Sequence, residues 1–186
     1  MKSLIISPHP DDEVLGAGGT LFKRKSIKKN LLYWIIVTRL KPTISKRKIL
    51  TRNKEIKKIS KLFGFKKVFQ LNFNTTELDS SSKKKLIQDF SNIFNQTKPY
   101  ELFVPHFSDV HSDHKIVSEV ISSCTKNFRF PYIKKILAYE VLSETDYNLN
   151  RKQVFFPNYY EDITKFLIKK INAMKVYKSE IKKFPF

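Results

Sequence analysis

Cysteine, glycine and acidic side chains are all scarce in this chain. One cysteine, Cys124, stands among 186 residues. That excludes an internal disulfide framework and a four-thiolate zinc site, so a metal held here must use histidine and carboxylate. Of the four glycines, three fall in Gly16-Ala17-Gly18-Gly19. Their spacing departs from G-x-G-x-x-G and lies inside a helical pattern, so they read as close helix–sheet packing rather than a dinucleotide fingerprint. The longest apolar run, residues 31–37, is too short to cross a bilayer. No signal-peptide core precedes the strand-like Leu4-Ile5-Ile6, and a cytoplasmic protein is the expectation.

The acidic deficit is the compositional outlier. Seventeen Asp and Glu face 36 Lys and Arg, a formal charge of +19. Such a field can draw nucleic acid, an anionic membrane surface or a phosphate-bearing substrate. The lysines, however, are scattered: Lys28-Lys29, Lys57-Lys58, Lys83-Lys84-Lys85, Lys134-Lys135, Lys169-Lys170 and Lys182-Lys183. No stripe interleaved with aromatics gathers them, so they read as solvated faces and turns and no nucleic-acid partner is expected. Peripheral membrane contact stays open.

What is present is an ordinary globular composition, 41% apolar and 28% charged, of a length that suits one domain over residues 1–186. Strands are predicted at residues 3–7, 31–38, 67–72, 102–105 and 133–142, with a short extra one at 154–156. Helical spacing appears at Leu15, Gly18, Gly19 and Phe22, and again at Ile49, Ile56, Ile59 and Phe63, closed by Gly64. Further helices are expected over residues 80–96, after His111 through Val117, Val120, Ile121 and Cys124, and along Ile163, Leu167, Ile171, Met174 and Tyr177. Strands alternating with helices imply an α/β fold, a mostly parallel sheet with helices on both faces. In such sheets ligands bind beyond the carboxyl ends of the strands, where strand order reverses. Two loops lie there, residues 8–14 and 105–114.

Both loops are rich in metal-ligand residues. The first reads Pro8-His9-Pro10-Asp11-Asp12-Glu13. Its prolines are expected to hold it extended, so that His9 and Asp12 reach one metal while Asp11 points elsewhere in the pocket. The second, Pro105-His106-Phe107-Ser108-Asp109-Val110-His111-Ser112-Asp113-His114, holds three of the four histidines. His111 and His114 face the crevice together, whereas His106 reads as a satisfied loop histidine. One histidine of this loop with His9 and Asp12 makes a two-His, one-carboxylate set, which suits a catalytic zinc with an open position. The same donors suit Fe(II). Asp11, beside the ligands but not needed as one, is placed to act as general base, which favours hydrolysis. Arg52 falls on the apolar stripe between Ile49 and Ile56, where a charge needs a partner. Either a substrate carboxylate or a buried pair with Glu13 or Glu55 answers that need.

The two loops resemble the His-Pro-Asp-Asp-Glu and Asp-x-His-x-Asp-His motifs of the PIG-L/LmbE family of N-acetylglucosaminyl deacetylases. Arg52-Asn53-Lys54-Glu55 is similar to the family's Arg-x-x-Glu helix, and Thr75-Thr76-Glu77-Leu78-Asp79 and residues 157–163 match further segments. The resemblance implies a Rossmann-like three-layer sandwich, a zinc ion on His9, Asp12 and His114, and Asp11 as base. It also implies that His111 stabilises the oxyanion or acts as acid, oriented and kept cationic by Asp113. The expected substrate is an N-acetylated sugar or glycoconjugate, with a non-sugar acylated amine as the alternative. Thr38-Arg39-Leu40-Lys41 lacks the Gly-Glu that many members carry after the second strand.

Overall fold

Apolar side chains alternate across the sheet, and that alternation sets the layers. The computed structural model describes residues 1–150 and 154–181. In it β1 (Lys2–Ser7), β2 (Leu31–Arg39), β3 (Lys67–Asn74), β4 (Glu101–Pro105) and β5 (Lys135–Tyr139) form one sheet, ordered β3-β2-β1-β4-β5. Every pairing is parallel. The helices are α1 (Asp12–Ser26), α2 (Lys46–Phe63), α3 (Lys83–Thr97), α4 (Ser112–Cys124) and α5 (Leu167–Met174), the last after a 3₁₀ turn at Thr164–Phe166.

Leu4, Ile6, Tyr33, Ile35 and Val37 face one way, onto Leu86, Phe90 and Phe94 of α3 and Val117 and Ile121 of α4. Ile5, Leu32, Trp34 and Ile36 face the other, onto Leu21 and Phe22 of α1, Ile59 and Phe63 of α2, and Tyr177. The three-layer sandwich is therefore the observed architecture. Strands covered on both faces carry continuous apolar runs, and each large side chain so buried contributes about 1.5–3 kcal/mol. Local signals agree: Ser45 caps α2 by accepting from Lys48 N–H, and Gly64 closes it at φ 68°. No described helix is long and apolar enough to cross a membrane.

Several expectations are corrected. Residues 154–156 form no strand; the segment runs past β5 with Phe155 against His106 and Phe156 exposed. The fifth strand is trimmed to Lys135–Tyr139. The C-terminal helix stops at Met174, and Tyr177 lies beyond it. Of the expected stripe, Met174 and Tyr177 pack into the core beside Ala173, while Leu167 and Ile171 stay exposed. The lysines of five of the six named pairs and runs are mostly exposed, and Lys182-Lys183 lies outside the described residues.

Gly16 faces the Tyr139 ring, and a Cβ there would overlap it; at Gly18 a Cβ would meet the flexible stem of Lys170 at 3.2 Å and Val14 at an ordinary contact distance of 3.4 Å. Gly16→Ala should therefore destabilise the protein by about 1–3 kcal/mol in urea unfolding. Gly18→Ala should be neutral, or stabilising by up to about 1 kcal/mol through helix propensity.

Candidate metal centre and active site

Pairing of β1 with β4 delivers both motif loops to one edge of the sheet. The Pro8 carbonyl accepts from the N–H and hydroxyl of Thr38 at 3.0 and 2.8 Å, which fastens the first loop to the end of β2. The loop is not extended, as its prolines suggested, but turns sharply. Asp11 sits at φ 132°, and its carbonyl accepts from Val14 and Leu15 to open α1. This strained turn separates the two aspartates, directing Asp12 inward while Asp11 lines the cleft.

Three donor atoms converge: His9 Nδ1, Asp12 Oδ2 and His114 Nε2, separated by 3.3, 3.4 and 3.7 Å. A tetrahedral ion with ligands at about 2.0–2.2 Å demands donor spacings of roughly 3.3–3.6 Å. The group thus fits a zinc-sized cation. Each histidine turns its other nitrogen to a carboxylate, His9 Nε2 to Asp113 at 3.0 Å and His114 Nδ1 to Asp109 at 2.8 Å. In the neutral rings those bonds favour protons on the outward nitrogens, which would leave the converging lone pairs for a metal. A second grouping of His9, His111 and Asp113 is also close. There the Asp113 carboxylate is already taken by His9 and by the N–H groups of Thr76 and Leu78, at 2.8 and 3.3 Å.

Asp113 therefore does not orient the His111 ring through its carboxylate, contrary to expectation. Its carboxylate faces His9, and only its backbone N–H reaches His111, donating to Nδ1 at 3.1 Å. A ring that accepts at Nδ1 carries its neutral-state proton on Nε2. Burial, with His9 and His114 nearby, lowers the pKa of His111. These contacts disfavour the cation and favour an Nε2–H donor.

Burial opposes charge on His114, but Asp12 and Asp109 outweigh it and hold its pKa up at about 10. Asp12 is correspondingly lowered, as His114 and His9 outweigh its burial. Without a metal, a proton on His114 balances this anionic pocket, a task that a bound divalent ion would take over. Asp11 is pushed well above the usual carboxylate range by burial and by Asp12 and Glu13. Burial likewise pushes Glu13 up to about 7.

The cleft above these residues encloses about 320 Å³; its walls include Thr38, Arg39, Thr75, His111 and Glu144. Arg52 also reaches it, but its guanidinium is engaged: Nη1 donates to the Pro10 carbonyl at 2.6 Å, Nη2 pairs with Glu180, and Nε lies 3.8 Å from Glu55. The buried pair with Glu55 is thus present, and Glu180 is a partner the sequence did not suggest. His106 is satisfied by Ser108 and packed against Phe107 and Phe155.

Asp109, Glu13, Tyr177 and Glu144 are the residues that sequence reasoning missed. Asp109 was visible as the first letter of the second motif, but only the fold shows it five residues away on the His114 ring. Asp109→Asn should weaken divalent-metal affinity roughly 10–100-fold. Calorimetric titration of the wild type at neutral pH should also register release of about one proton per ion bound.

Residues 4–125 match the family model described as GlcNAc-PI de-N-acetylase, PIG-L. The diacetylchitobiose deacetylase of Thermococcus kodakarensis is 24% identical across 96% of this chain and 70% of that protein. An N,N'-diacetylchitobiose deacetylase from Pyrococcus horikoshii, solved with an inhibitor, is 26% identical, with a TM-score of 0.75 over 98% of this chain and 71% of that one. At 16% identity, the 4-carboxy-2-hydroxymuconate hydratase GalB from Pseudomonas putida shares the fold alone, with a TM-score of 0.72 over 97% of this chain and 80% of that one. With both motif loops brought to one cleft and the family model spanning most of the chain, this protein belongs to the PIG-L family.

Proposed function

We propose that residues 1–186 form one catalytic domain that removes the acetyl group from an N-acetylglucosamine-type sugar or conjugate, using zinc. The observation that carries this reading is the convergence of His9, Asp12 and His114 on tetrahedral spacing at the floor of a cleft, with Asp11 and His111 on its walls. Relatives that act on diacetylchitobiose support the acetyl-sugar part.

His9, Asp12 and His114 would hold the zinc, which as a Lewis acid would polarise the acetyl carbonyl and lower the pKa of water to about 7. Asp11 takes the proton of the attacking water as general base. Its raised pKa, from burial beside Asp12 and Glu13, strengthens its hold on that proton. His111, a neutral Nε2–H donor, stabilises the oxyanion as it forms. Collapse then requires a proton on the leaving amine, which Asp11 or His111 returns, and acetate departs. Asp113 acts on this chemistry through His9, holding the ligand's orientation. The cleft lies at the small end of ligand sites, which suits a sugar unit better than a long polymer segment buried whole. Arg39 on its wall suits a substrate that also carries an anionic group such as phosphate.

The test is acetate release from a panel of N-acetylated sugars, their phosphorylated conjugates and non-sugar acylated amines, with zinc-loaded protein. Release from an N-acetylglucosamine compound is expected, and release only from non-sugar amides overturns the sugar assignment. Asp11→Asn should keep the metal and lower kcat by roughly 10²–10⁴-fold. A near-normal rate in that variant removes Asp11 as the base. Loss of bound zinc is expected on changing His9, Asp12 or His114 to Ala, and unchanged metal content in all three overturns the centre.

A further inference from the structure

We propose that Tyr177 and Arg52 are positioning residues that clamp the Pro10–Asp11 peptide unit and so aim the carboxylate of Asp11. The inference rests on Asp11 being the base. A non-glycine residue at φ 132° is strained and persists only where its surroundings over-determine it. Here both ends of a single peptide plane are held. The Pro10 carbonyl accepts from Arg52 Nη1 at 2.6 Å, and the Asp11 N–H donates to Glu13 Oε2 at 3.0 Å. The plane cannot rotate without breaking both bonds, and its orientation sets the φ of Asp11.

Each holding side chain is itself held from the segment after α5. The Tyr177 hydroxyl donates to Glu13 Oε1 at 2.6 Å. Arg52 pairs with Glu180, and its guanidinium carbon stands 5.7 Å from the Tyr177 ring centre. Ser179 fastens this segment to α2, donating its N–H and hydroxyl to Glu55 at 3.1 and 2.7 Å. Tyr177 is fully buried, and a core position of that kind is filled equally well by phenylalanine unless the hydroxyl has a task. Among the described residues, the hydroxyl's one hydrogen-bond partner is the carboxylate that grips Asp11. The ring belongs to the core, and the hydroxyl belongs to the active site.

Tyr177→Phe removes the hydroxyl and keeps the ring. The zinc-loaded variant should retain its metal and hold KM within about twofold, while kcat falls roughly 10–100-fold, the scale of a misplaced reacting group. Independently of turnover, the Asp11 amide should shift in ¹⁵N NMR spectra and exchange faster with solvent. Glu13→Gln is the second variant, since an amide cannot accept at both positions, and it should reproduce both effects. Unchanged kcat with only a lower melting temperature, or an Asp11 amide unmoved in both variants, overturns the clamp. Absence of acetate release from the wild type would instead overturn the enzymatic reading, while the amide measurement still decides the clamp.

Discussion

The parallel pairing of β1 with β4 is the contact on which the site depends. Its register, Ser3 to Glu101 and Ile5 to Phe103, ends both strands at the same edge, so that residues some hundred positions apart in the chain share hydrogen bonds. The chain leaves β1 toward β2 on one side and reaches β5 from β4 on the other. The loops diverge there, and the crevice between them is a consequence of strand order. The opposite end of the pairing is tied by a buried ion pair. Arg24 grips both oxygens of Glu101 at 3.0 Å, and the Ser3 hydroxyl donates to the same carboxylate at 2.9 Å. A slip in register would break that triad and pull the ligand loops out of step.

Charge inside the molecule runs opposite to charge outside it. The surface is strongly basic, yet Asp12, Glu13, Asp109 and Asp113 are all buried around the cleft. Each is answered locally, by a histidine, a backbone N–H or the Tyr177 hydroxyl. Buried carboxylates on this scale are tolerable only when paired and hydrogen-bonded. Their common arrangement around two imidazoles is what gives the pocket its appetite for a cation. The excess lysine contributes nothing to that local balance.

Much of this was legible in the sequence, and the remainder was hidden for identifiable reasons. Continuous apolar runs marked β1 and β2 because both their faces are covered. The loops declared themselves because histidine and adjacent acids have little reason to cluster in so basic a chain. Asp113 was misassigned, since proximity in sequence suggested His111, whereas its position in the first turn of α4 aims it across the cleft at His9. Phe155 and Phe156 looked like strand residues, but propensity alone does not supply a ladder partner. Tyr177 read as one more apolar residue on a helical stripe. Nothing in a periodicity records where a hydroxyl points, and its meeting with Glu13 exists only in the folded chain.

One connection links metal binding to a part of the molecule that touches no metal ligand by sequence. His9 offers Nδ1 to the ion and Nε2 to Asp113, and Asp113 in turn is the acceptor for the N–H groups of Thr76 and Leu78. The turn between β3 and α3 is thereby fastened through one imidazole to the bottom of the cleft, and Thr75 from that turn forms part of the cleft wall. By linkage, whatever steadies the ring also steadies the wall. An ion held by His9 would then act as a keystone, coupled through one imidazole to the rim of the cleft.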